Sequence, residues 1–465
     1  MKKYILSILF VLLYAPLTNT YAQLPNHNTY LIANLDNYTG YSACWGYTAP
    51  NGREYAIIGC FQGTSFVDIT DSANVQEVGF LPTSGASTNS GNGWREMKVY
   101  SHYAYIVSEA PNSGIQIVDL QYLPDSINYV GKFTVGSLSD IHSISQSGPY
   151  LYINGSNTSF GNGVTIFDLT VNPRVPVKRG AWNTRYVHDC RVKNDTIWGM
   201  NINSQDGQVT VINAANKDNP VEITNWLNVP NPSPHNCDLT TDSKYLLTTD
   251  EVGNNPPRLL KIWNVQNLQN PVTVTTWQPT NITNSRVHNV EIYGDYAVIA
   301  HYSAGIRIVD ISNPLSPTEV AWYDTYPANN NFNYSGCWGV FKFPSGKIIG
   351  SDISNGLFVI NTTFPTNVTS NTNTIPEKYS LEQNYPNPFN PTTKIGFSIP
   401  KASFVTVKLY DMLGREVALL LNETKPAGQH ELLVNANKFN LKTGAYFYSL
   451  RSNNFVDTKK MILIK

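Results

Sequence analysis

The chain has 465 residues, a formal net charge of −1 and only 14% charged residues. This balance, with no long basic run, gives no electrostatic footprint for DNA, RNA or anionic lipid, so we expect no nucleic-acid partner. The 28 tyrosines, 31 glycines and 28 prolines are typical of an extracellular, β-rich protein with many turns.

Residues 1–22 have the pattern of a cleavable secretory signal. Lys2 and Lys3 precede the apolar run "YILSILFVLLYAPL", and the small residues Thr20 and Ala22 occupy the −3 and −1 positions before a cut at Gln23. An uncleaved anchor helix is the weaker alternative, because a membrane span needs roughly 20 apolar residues. No later segment is long and apolar enough to span, so we expect a mature protein outside the cytoplasm without a transmembrane segment.

One strand pattern repeats through residues 23–364 at spacings of roughly fifty residues. Each copy ends a strand in Asp or Asn, which can cap the following turn: "SFVDIT" (65–70), "IQIVDLQ" (115–121), "VTIFDLT" (164–170), "VTVINAA" (209–215), "LKIWNVQ" (260–266), "IRIVDIS" (306–312) and "LFVINTT" (357–363). A further strand follows the first six copies but not the seventh, whereas the spare strand "NTYLIANLD" (28–36) precedes the first copy. We therefore predict a closed seven-bladed β-propeller whose last blade is completed by the N-terminal strand. An open solenoid would leave that edge bare.

The remaining sequence predicts a linker and a second all-β unit. Residues 365–378 are rich in Ser, Thr, Asn and Pro without an apolar period, which is typical of a linker. Residues 379–465 alternate like the strands of a small, Ig-like antiparallel β-sandwich, with glycine turns in "MLGRE" and "KTGAY".

Three C-terminal segments and the basic end "KKMILIK" resemble the type A sorting domain of the type IX secretion system: "NYPNPFNPTTKIGFSIP" (384–400), "VTVKLYDMLGREV" (405–417) and "LKTGAYFYSL" (441–450). The resemblance implies Sec export followed by handling by the type IX secretion machinery of a Gram-negative bacterium, which delivers the protein to the outer-membrane surface or the medium. An ordinary Ig-like binding module is the alternative.

The repeat region is similar to the LVIVD-repeat proteins, in particular the choice-of-anchor B family. The residues that carry this are "WREMKVYSHYAYIVSE" (94–109), "GIQIVDL" (114–120), "YVHDCRV" (186–192) and "IVDISNPLSP" (308–317). The resemblance implies the propeller fold and a surface location, and it brings no established activity and no catalytic residues.

Aligning the blades on their first strands predicts one mouth of the axial channel. The equivalent position carries Trp45, Arg95, His142, His188, His235, His288 and Trp338. The ends of the antiparallel second strands return to the same rim and add Glu109, Asp250, Glu251, His301 and Asp352. We predict that this mouth binds a ligand, because imidazole, carboxylate, guanidinium and indole groups converge there.

The four histidines support two hypotheses. A divalent metal held by His142, His188, His235 and His288 would make the protein a metal-dependent extracellular enzyme. Alternatively, the mostly apolar residues two and four positions beyond each His turn the imidazoles towards the layer between blades, where each bonds to the backbone of the next blade. Our leading hypothesis is therefore a binding module for an extracellular protein or glycan, without assigned catalytic residues.

The five cysteines permit cross-links without forming a dense framework. Cys44 and Cys60 flank a hairpin whose turn lies near 50–53, and counting outwards places them almost opposite one another, so they are a disulfide candidate. Cys337 is the alternative partner of Cys44. Cys190 and Cys237 are expected to be buried thiols.

Overall fold

The computed structural model describes residues 26–464 except 85–92, 135–139, 157–161, 203–206, 254–257, 281, 283, 329–331, 365–377, 385–386, 426 and 440. The predicted signal and nearly all of the predicted linker lie outside these residues. Within the described ranges every regular element is a β-strand, so the all-β prediction is confirmed.

The repeats form antiparallel sheets, which we call blades 1 to 7. Two strands precede them: β1 (Asn26–His27) and β2 (Thr29–Leu35). Blade 1 contains β3 (Tyr41–Thr48), β4 (Glu54–Cys60), β5 (Gly63–Asp68) and β6 (Gln76–Pro82). Blade 2 contains β7 (Arg95–Tyr100), β8 (Tyr103–Ser108), β9 (Ile115–Asp119) and β10 (Asn128–Phe133). Blade 3 contains β11 (Ser143–Ser147), β12 (Tyr150–Asn154), β13 (Val164–Asp168) and β14 (Val177–Trp182).

The next four blades follow the same order. Blade 4 contains β15 (Asp189–Lys193), β16 (Thr196–Asn201), β17 (Gln208–Asn213) and β18 (Val221–Leu227). Blade 5 contains β19 (Pro234–Leu239), β20 (Tyr245–Asp250), β21 (Leu260–Asn264) and β22 (Val272–Trp277). Blade 6 contains β23 (Val290–Tyr293), β24 (Tyr296–Ala300), β25 (Ile306–Asp310) and β26 (Thr318–Tyr323). Blade 7 contains β27 (Cys337–Lys342), β28 (Ile348–Asp352) and β29 (Gly356–Thr362).

The blades close into a ring through their first strands. Each first strand contacts the next one along the chain, and β27 of blade 7 contacts β3 of blade 1. The N-terminal strand β2 pairs with β29, with Thr29 opposite Thr362 and Leu35 opposite Leu357, so it supplies the fourth strand of blade 7 as the sequence predicted. Strand β1 pairs with β26 and widens blade 6 to five strands.

Apolar layers between neighbouring blades form the core of the ring. The residues two positions beyond the four histidines are buried in these layers: Ile144, Cys190, Cys237 and Val290. Burying a side chain of this kind contributes about 1.5–3 kcal/mol, so the layers hold the first strands at fixed positions around the channel. The Asp residues that end third strands cap the next turn, as predicted: Asp68 Oδ1 accepts from the Thr70 amide at 2.9 Å and Asp168 Oδ1 from the Thr170 amide at 2.8 Å.

The C-terminal strands form two further antiparallel sheets around their own apolar core. One sheet contains β30 (Ser380–Leu381), β31 (Thr392–Ile399) and β34 (Gly428–Asn435). The other contains β32 (Ser403–Tyr410), β33 (Glu416–Lys425), β35 (Gly444–Ser452) and β36 (Phe455–Leu463). Across the described part of the chain, no helix has the length and apolar character that crossing a bilayer requires.

The predicted Cys44–Cys60 disulfide is wrong, because all five cysteines are free thiols in the structure. Cys44 lies opposite Ile58, two residues from Cys60, and a β-bulge between Tyr41 and Cys44 then places Cys60 opposite Tyr41. Counting outwards from a turn centred within 50–53 placed the register one residue away from the observed pairing of Tyr47 with Tyr55. Burial raises the pKa of the Cys60 thiol to about 11 and that of Cys44 to about 12.

Candidate functional site

The four histidines predicted to share one position lie in ring-to-ring contact along the mouth of the channel. The ring centroids of His142 and His188 are 3.8 Å apart, those of His188 and His235 are 4.6 Å apart, and those of His235 and His288 are 4.1 Å apart. The repeat explains this proximity, because equivalent residues of successive blades occupy neighbouring points of the ring.

At one end of this histidine cluster, polar side chains engage the Nδ1 atoms. His142 Nδ1 lies 2.5 Å from Glu109 Oε1, and His188 Nδ1 shares a hydrogen bond of 3.0 Å with the hydroxyl of Tyr186. Burial acts to lower the pKa of His142, but the hydrogen bond and charge of Glu109 outweigh it, so this pKa is raised. Burial and the neighbouring imidazoles lower the pKa of His188 well below its usual value.

At the other end, backbone carbonyls of the next blade engage Nδ1. His235 Nδ1 donates to the carbonyl of His288 at 3.2 Å, and His288 Nδ1 donates to the carbonyl of Trp338. These bonds are the inter-blade contacts expected from the structural hypothesis. Burial and the His235 ring lower the pKa of His288 well below its usual value, so its ring is neutral at physiological pH.

With Nδ1 engaged in all four rings, the opposite ring edges come together. His142 Nε2 and His188 Nε2 are 2.8 Å apart. One nitrogen from each of His142, His188 and His235 lies within 4.8 Å of the others, and the same holds for the donor atoms of His235, Glu251 and His288. His288 Nε2 is buried and has no hydrogen-bond partner among the described residues.

Glu251 is the carboxylate of this cluster. Its Oε2 lies 3.7 Å from His235 Nε2, and its Oε1 lies 3.8 Å from His288 Nε2. The Tyr302 hydroxyl donates to Oε1 at 2.5 Å, while Arg286 Nη1 donates to the Glu251 backbone carbonyl at 2.7 Å. Burial and the Glu251 carboxylate raise the pKa of Tyr302 well above its usual value, so this phenol remains a donor.

Indole rings continue the arc beyond the histidines. The Trp338 ring centroid lies 4.3 Å from that of His288. Trp94 stacks on Trp338 with centroids 4.4 Å apart and planes 8° apart. The mouth therefore has an imidazole–carboxylate arc and an aromatic arc.

A layer of charged residues lies one and three positions further along the first strands. Its ion pairs join Lys98 to Glu96 at 2.7 Å and Arg191 to Glu291 and Asp238 at 2.8 and 3.2 Å. Asp189, which accepts a hydrogen bond from Asn236, is the fourth acid of this layer, beside the two basic residues Lys98 and Arg191. Glu96 and Asp189 act on the pKa of His142 in the raising direction, so this layer favours positive charge at the cluster.

The structure places Trp45 outside the cluster. The hairpin pairs Tyr47–Tyr55 and Tyr100–Tyr103 are equivalent, and counting back two residues from them aligns Trp45 with Lys98, three positions beyond Arg95. Trp45 lies deeper, with its ring 4.9 Å from Phe341 and beneath the ammonium group of Lys98.

Arg95 occupies the predicted position, but its side chain turns towards blade 1. Its Nε donates to the carbonyl of Cys60 at 3.0 Å, and its backbone amide donates to the hydroxyl of Ser42 at 3.1 Å. Arg95 therefore links two blades at the rim and does not join the imidazoles.

Three predicted rim residues at the ends of second strands serve local structure. Asp250 is buried in an ion pair of 2.6 Å with Lys261, and burial raises its pKa to about 6. Asp352 accepts from Thr325 at 2.7 Å, with its pKa likewise raised by burial to about 6. His301 shares a hydrogen bond of 3.1 Å with Ser285, and burial lowers its pKa to about 3.

Sequence reasoning missed two residues that support the cluster. Tyr186 and Arg286 each precede a cluster histidine by two positions, at His188 and His288. The period of two along a strand was the signal that could have identified them.

Comparison with known families identifies two segments. The model for the LVIVD repeat matches residues 286–325, and the model for the secretion system C-terminal sorting domain matches residues 383–465. The chain carries an LVIVD repeat and a sorting domain. The sorting domain indicates type IX secretion to the extracellular space or cell surface. The narrower choice-of-anchor B assignment stays a prediction.

Solved structures similar to the chain include two with low sequence identity. The computationally designed Ika8 protein is 10% identical, with a TM-score of 0.44 over 71% of this chain and 99% of that chain. A catalytically inactive virginiamycin B lyase from Staphylococcus aureus with quinupristin is 15% identical, with a TM-score of 0.49 over 72% of this chain and 98% of that chain. No functional residue is transferred from either, and a search of curated proteins finds no match.

Proposed function

We propose that this exported protein binds a divalent transition-metal ion at the channel mouth. His142, His188, His235 and His288 would hold the ion through Nε2, and Glu251 would contribute a carboxylate oxygen. The observation that carries this proposal is that the two nitrogens of each ring have different surroundings. Nδ1 has a hydrogen-bond partner in every ring, and the Nε2 edges of the four rings converge. Metal-binding histidines are oriented by such Nδ1 partners.

The donor set fits a first-row transition metal. Imidazole nitrogens suit Zn, Cu, Fe and Ni, whereas hard cations such as Mg²⁺ and Ca²⁺ prefer a shell of oxygens. The buried His288 Nε2 supports this role, since a polar nitrogen without a partner is costly unless a ligand satisfies it. The lowered pKa values of His188 and His288 keep both rings unprotonated, as metal binding requires.

Surrounding charge supports a cation at the same place. Glu251 lies among the imidazoles and Glu109 lies behind His142. The charged layer contributes four acids against the two bases Lys98 and Arg191. Burial raises the pKa of two of these acids, Glu96 and Glu291, and a divalent ion nearby would favour their ionised forms. The ion would act as a Lewis acid towards a ligand that enters the mouth.

The direct test is the metal content of purified protein covering residues 23–465. We expect about one equivalent of transition metal by elemental analysis, and a loss of thermal stability on chelation that one equivalent of ion restores. His188→Asn and His288→Asn should each lose the ion. The matched control is His102→Gln, which alters another imidazole–carboxylate pair, the 2.7 Å contact of His102 with Asp119. Metal-free protein whose stability ignores the chelator would refute the proposal.

A second candidate function is binding of an extracellular protein or glycan at the aromatic arc. The stacked pair of Trp94 and Trp338, both half-buried, supports it, because indole faces stack on sugars and on apolar side chains. Trp94→Ala should abolish retention on glycan or protein arrays while metal content is maintained. Unchanged retention would refute this role.

For the domain organisation we propose a signal at 1–22, a propeller at 23–364, a linker at 365–378 and a sorting unit at 379–465. Deleting residues 379–465 should leave the protein in the periplasm, with the metal site intact in the periplasmic fraction. Surface display of the truncated protein would contradict these boundaries.

A further inference from the structure

Two arginines lie side by side next to Glu251. The backbones of Arg258 and Arg286 form an isolated parallel bridge, and the two residues are 7% and 4% exposed. Arg286 Nη1 donates to the Glu251 carbonyl at 2.7 Å and to the Tyr334 hydroxyl at 3.1 Å, while Arg258 Nη1 donates to Ser233 Oγ at 3.3 Å. Both guanidinium groups are thus anchored beside the histidine cluster.

In the described part of the chain neither arginine has an ion-pair partner of its own, and the nearest charge to act on the pKa of Arg258 is that of Asp250. The Nε atoms of both are buried and have no hydrogen-bond partner among the described residues. The closest acids have other partners: Asp250 pairs with Lys261 at 2.6 Å, and the Glu251 carboxylate faces the imidazoles. Buried charges are normally paired, so two buried guanidinium groups without an ion-pair partner are suited to binding an anion.

Aromatic rings orient one of the two guanidinium groups. The Arg286 guanidinium carbon lies 3.7 Å from the ring centroid of Phe332 and 4.2 Å from that of Tyr334. Stacking fixes the guanidinium plane, which is the arrangement that allows two parallel N–H bonds to one oxyanion. Tyr334 is 46% exposed, so one of the two rings that stack on the Arg286 guanidinium reaches the surface.

The arginine pair is connected to the proposed metal site by direct contacts. The Tyr302 ring lies 5.6 Å from that of Tyr334 and 5.0 Å from that of His288, and its hydroxyl donates to Glu251. A ligand that reaches the metal site past Tyr334 therefore passes the guanidinium groups.

From these contacts we propose that Arg258 and Arg286 form an oxyanion subsite, which takes a carboxylate or phosphate group of the ligand that the metal site binds. The assignment as part of a ligand site rests on the proposed function. The arginine pair itself needs no metal, so anion binding and metal binding can be measured separately.

The test uses calorimetric titration of the full exported chain with inorganic phosphate and, separately, with acetate. Wild-type protein should bind at least one of them saturably, both with metal and after chelation, and the stronger of the two identifies the oxyanion class. Arg258→Gln should weaken that binding at least tenfold while metal content is unchanged. Arg286→Gln should weaken it to the same extent, and its metal content is measured alongside because Arg286 also donates to the Glu251 carbonyl. Arg286→Lys, which keeps the charge but loses the planar fork, should give an intermediate affinity.

The matched control is Arg185→Gln, since Arg185 pairs with Glu222 at 2.8 Å and should not affect anion binding. If a Gln variant does not fold, as judged by circular dichroism, the Arg286→Lys comparison decides. The proposal is overturned if wild-type protein binds neither anion. It is also overturned if Arg286→Lys and the Gln variants bind the anion as tightly as wild type does. Anion binding by protein that never holds metal would instead refute the metal site and leave the arginine subsite standing.

Discussion

Replacing Glu251 with Gln should have opposite effects on two quantities: the stability of the metal-free protein should be kept or increased, and the extra stability that metal confers should fall. The Gln side chain keeps the volume of Glu and can still accept the hydrogen bond from Tyr302. It removes a carboxylate that is 7% exposed and that faces neutral imidazole, His288, on one side. Because a buried carboxylate that faces neutral imidazole and keeps only a hydrogen bond from Tyr302 is unfavourable, we expect metal-free Glu251→Gln to be as stable as wild type or more stable.

The metal-dependent part of the stability should fall in the same variant. An ion present at about 1,000 times its dissociation constant stabilises the folded protein by about 4.1 kcal/mol. Loss of an outer-shell partner weakens metal binding by up to about 100-fold, and we take this upper value for the Glu251 carboxylate because it would contact the ion directly. At the same free metal concentration, the stabilisation by metal then falls to about 1.4 kcal/mol. The expected loss is therefore about 2.7 kcal/mol, or several degrees in melting temperature.

The adjacent acid provides the matched control for this measurement. Asp250→Asn breaks the 2.6 Å buried pair with Lys261, which should cost about 3–5 kcal/mol in the metal-free protein. It should leave the metal increment unchanged, because the Asp250 side chain is not part of the histidine cluster. The assay is calorimetric unfolding at free Zn²⁺ fixed by a chelator buffer. Equal metal increments in wild type and Glu251→Gln would refute the role of Glu251 as a ligand.

Three further predictions concern the support of the cluster, its neighbourhood and the thiols. Glu109→Gln should weaken metal binding about 10- to 100-fold in chelator competition, because its carboxylate orients His142; wild-type affinity would contradict this. The pKa of buried His301 is lowered to about 3, so the neutral ring contributes stability that is complete above pH 6.5 and is lost as pH falls towards 3. Between pH 7 and pH 4.5 wild type should lose about 2.5 kcal/mol more than His301→Gln in urea unfolding, and equal losses would show that this ring does not titrate on unfolding. Because Cys44 and Cys60 are free, dithiothreitol should not lower the urea midpoint of wild type. If dithiothreitol lowered the midpoint of wild type but not that of a Cys44→Ala/Cys60→Ala variant, the two thiols would form a disulfide after all.

The β-sheet organisation could be predicted because the repeat encodes it several times over. Asp or Asn at the end of each third strand marks the turn, and the same apolar alternation precedes it in every copy. The missing outer strand after residue 362, together with a spare strand at the N-terminus, left the pairing of β2 with β29 as the economical solution. The bulge in β3 could not be predicted in this way, because no Pro or Gly marks it between Tyr41 and Cys44. Trp45 and Cys44 lie between this bulge and the turn and pair in unbroken register with Ile57 and Ile58, so both errors come from the alignment assumed for this hairpin and not from the bulge.

The histidine cluster could be predicted in position but not in orientation. Alternation along a strand placed the rings on the face of the apolar layer between blades. In the structure His142, His188 and His288 precede the regular strands that begin at Ser143, Asp189 and Val290, so ideal alternation does not fix their rings. Hydrogen bonds to Glu109, Tyr186 and the carbonyl of Trp338 fix them instead. Glu109 and Trp338 belong to other blades, so their positions follow only from the assembled ring, whereas Tyr186 lies two residues before His188 in the same segment.

The site depends on closure of the ring as well as on the blades that supply its ligands. His288 of blade 6 donates Nδ1 to the carbonyl of Trp338 in blade 7, and the Trp338 ring stacks on Trp94 beside blade 2. Blade 7 is complete only when the N-terminal strand β2 pairs with β29, and β27 of that blade contacts β3. Opening the ring would therefore remove the carbonyl that aims His288 Nε2 at Glu251. The structural and the metal-binding hypotheses for the histidines are thus compatible: the bonds that seal the blades through Nδ1 are the same bonds that direct Nε2 towards a common point.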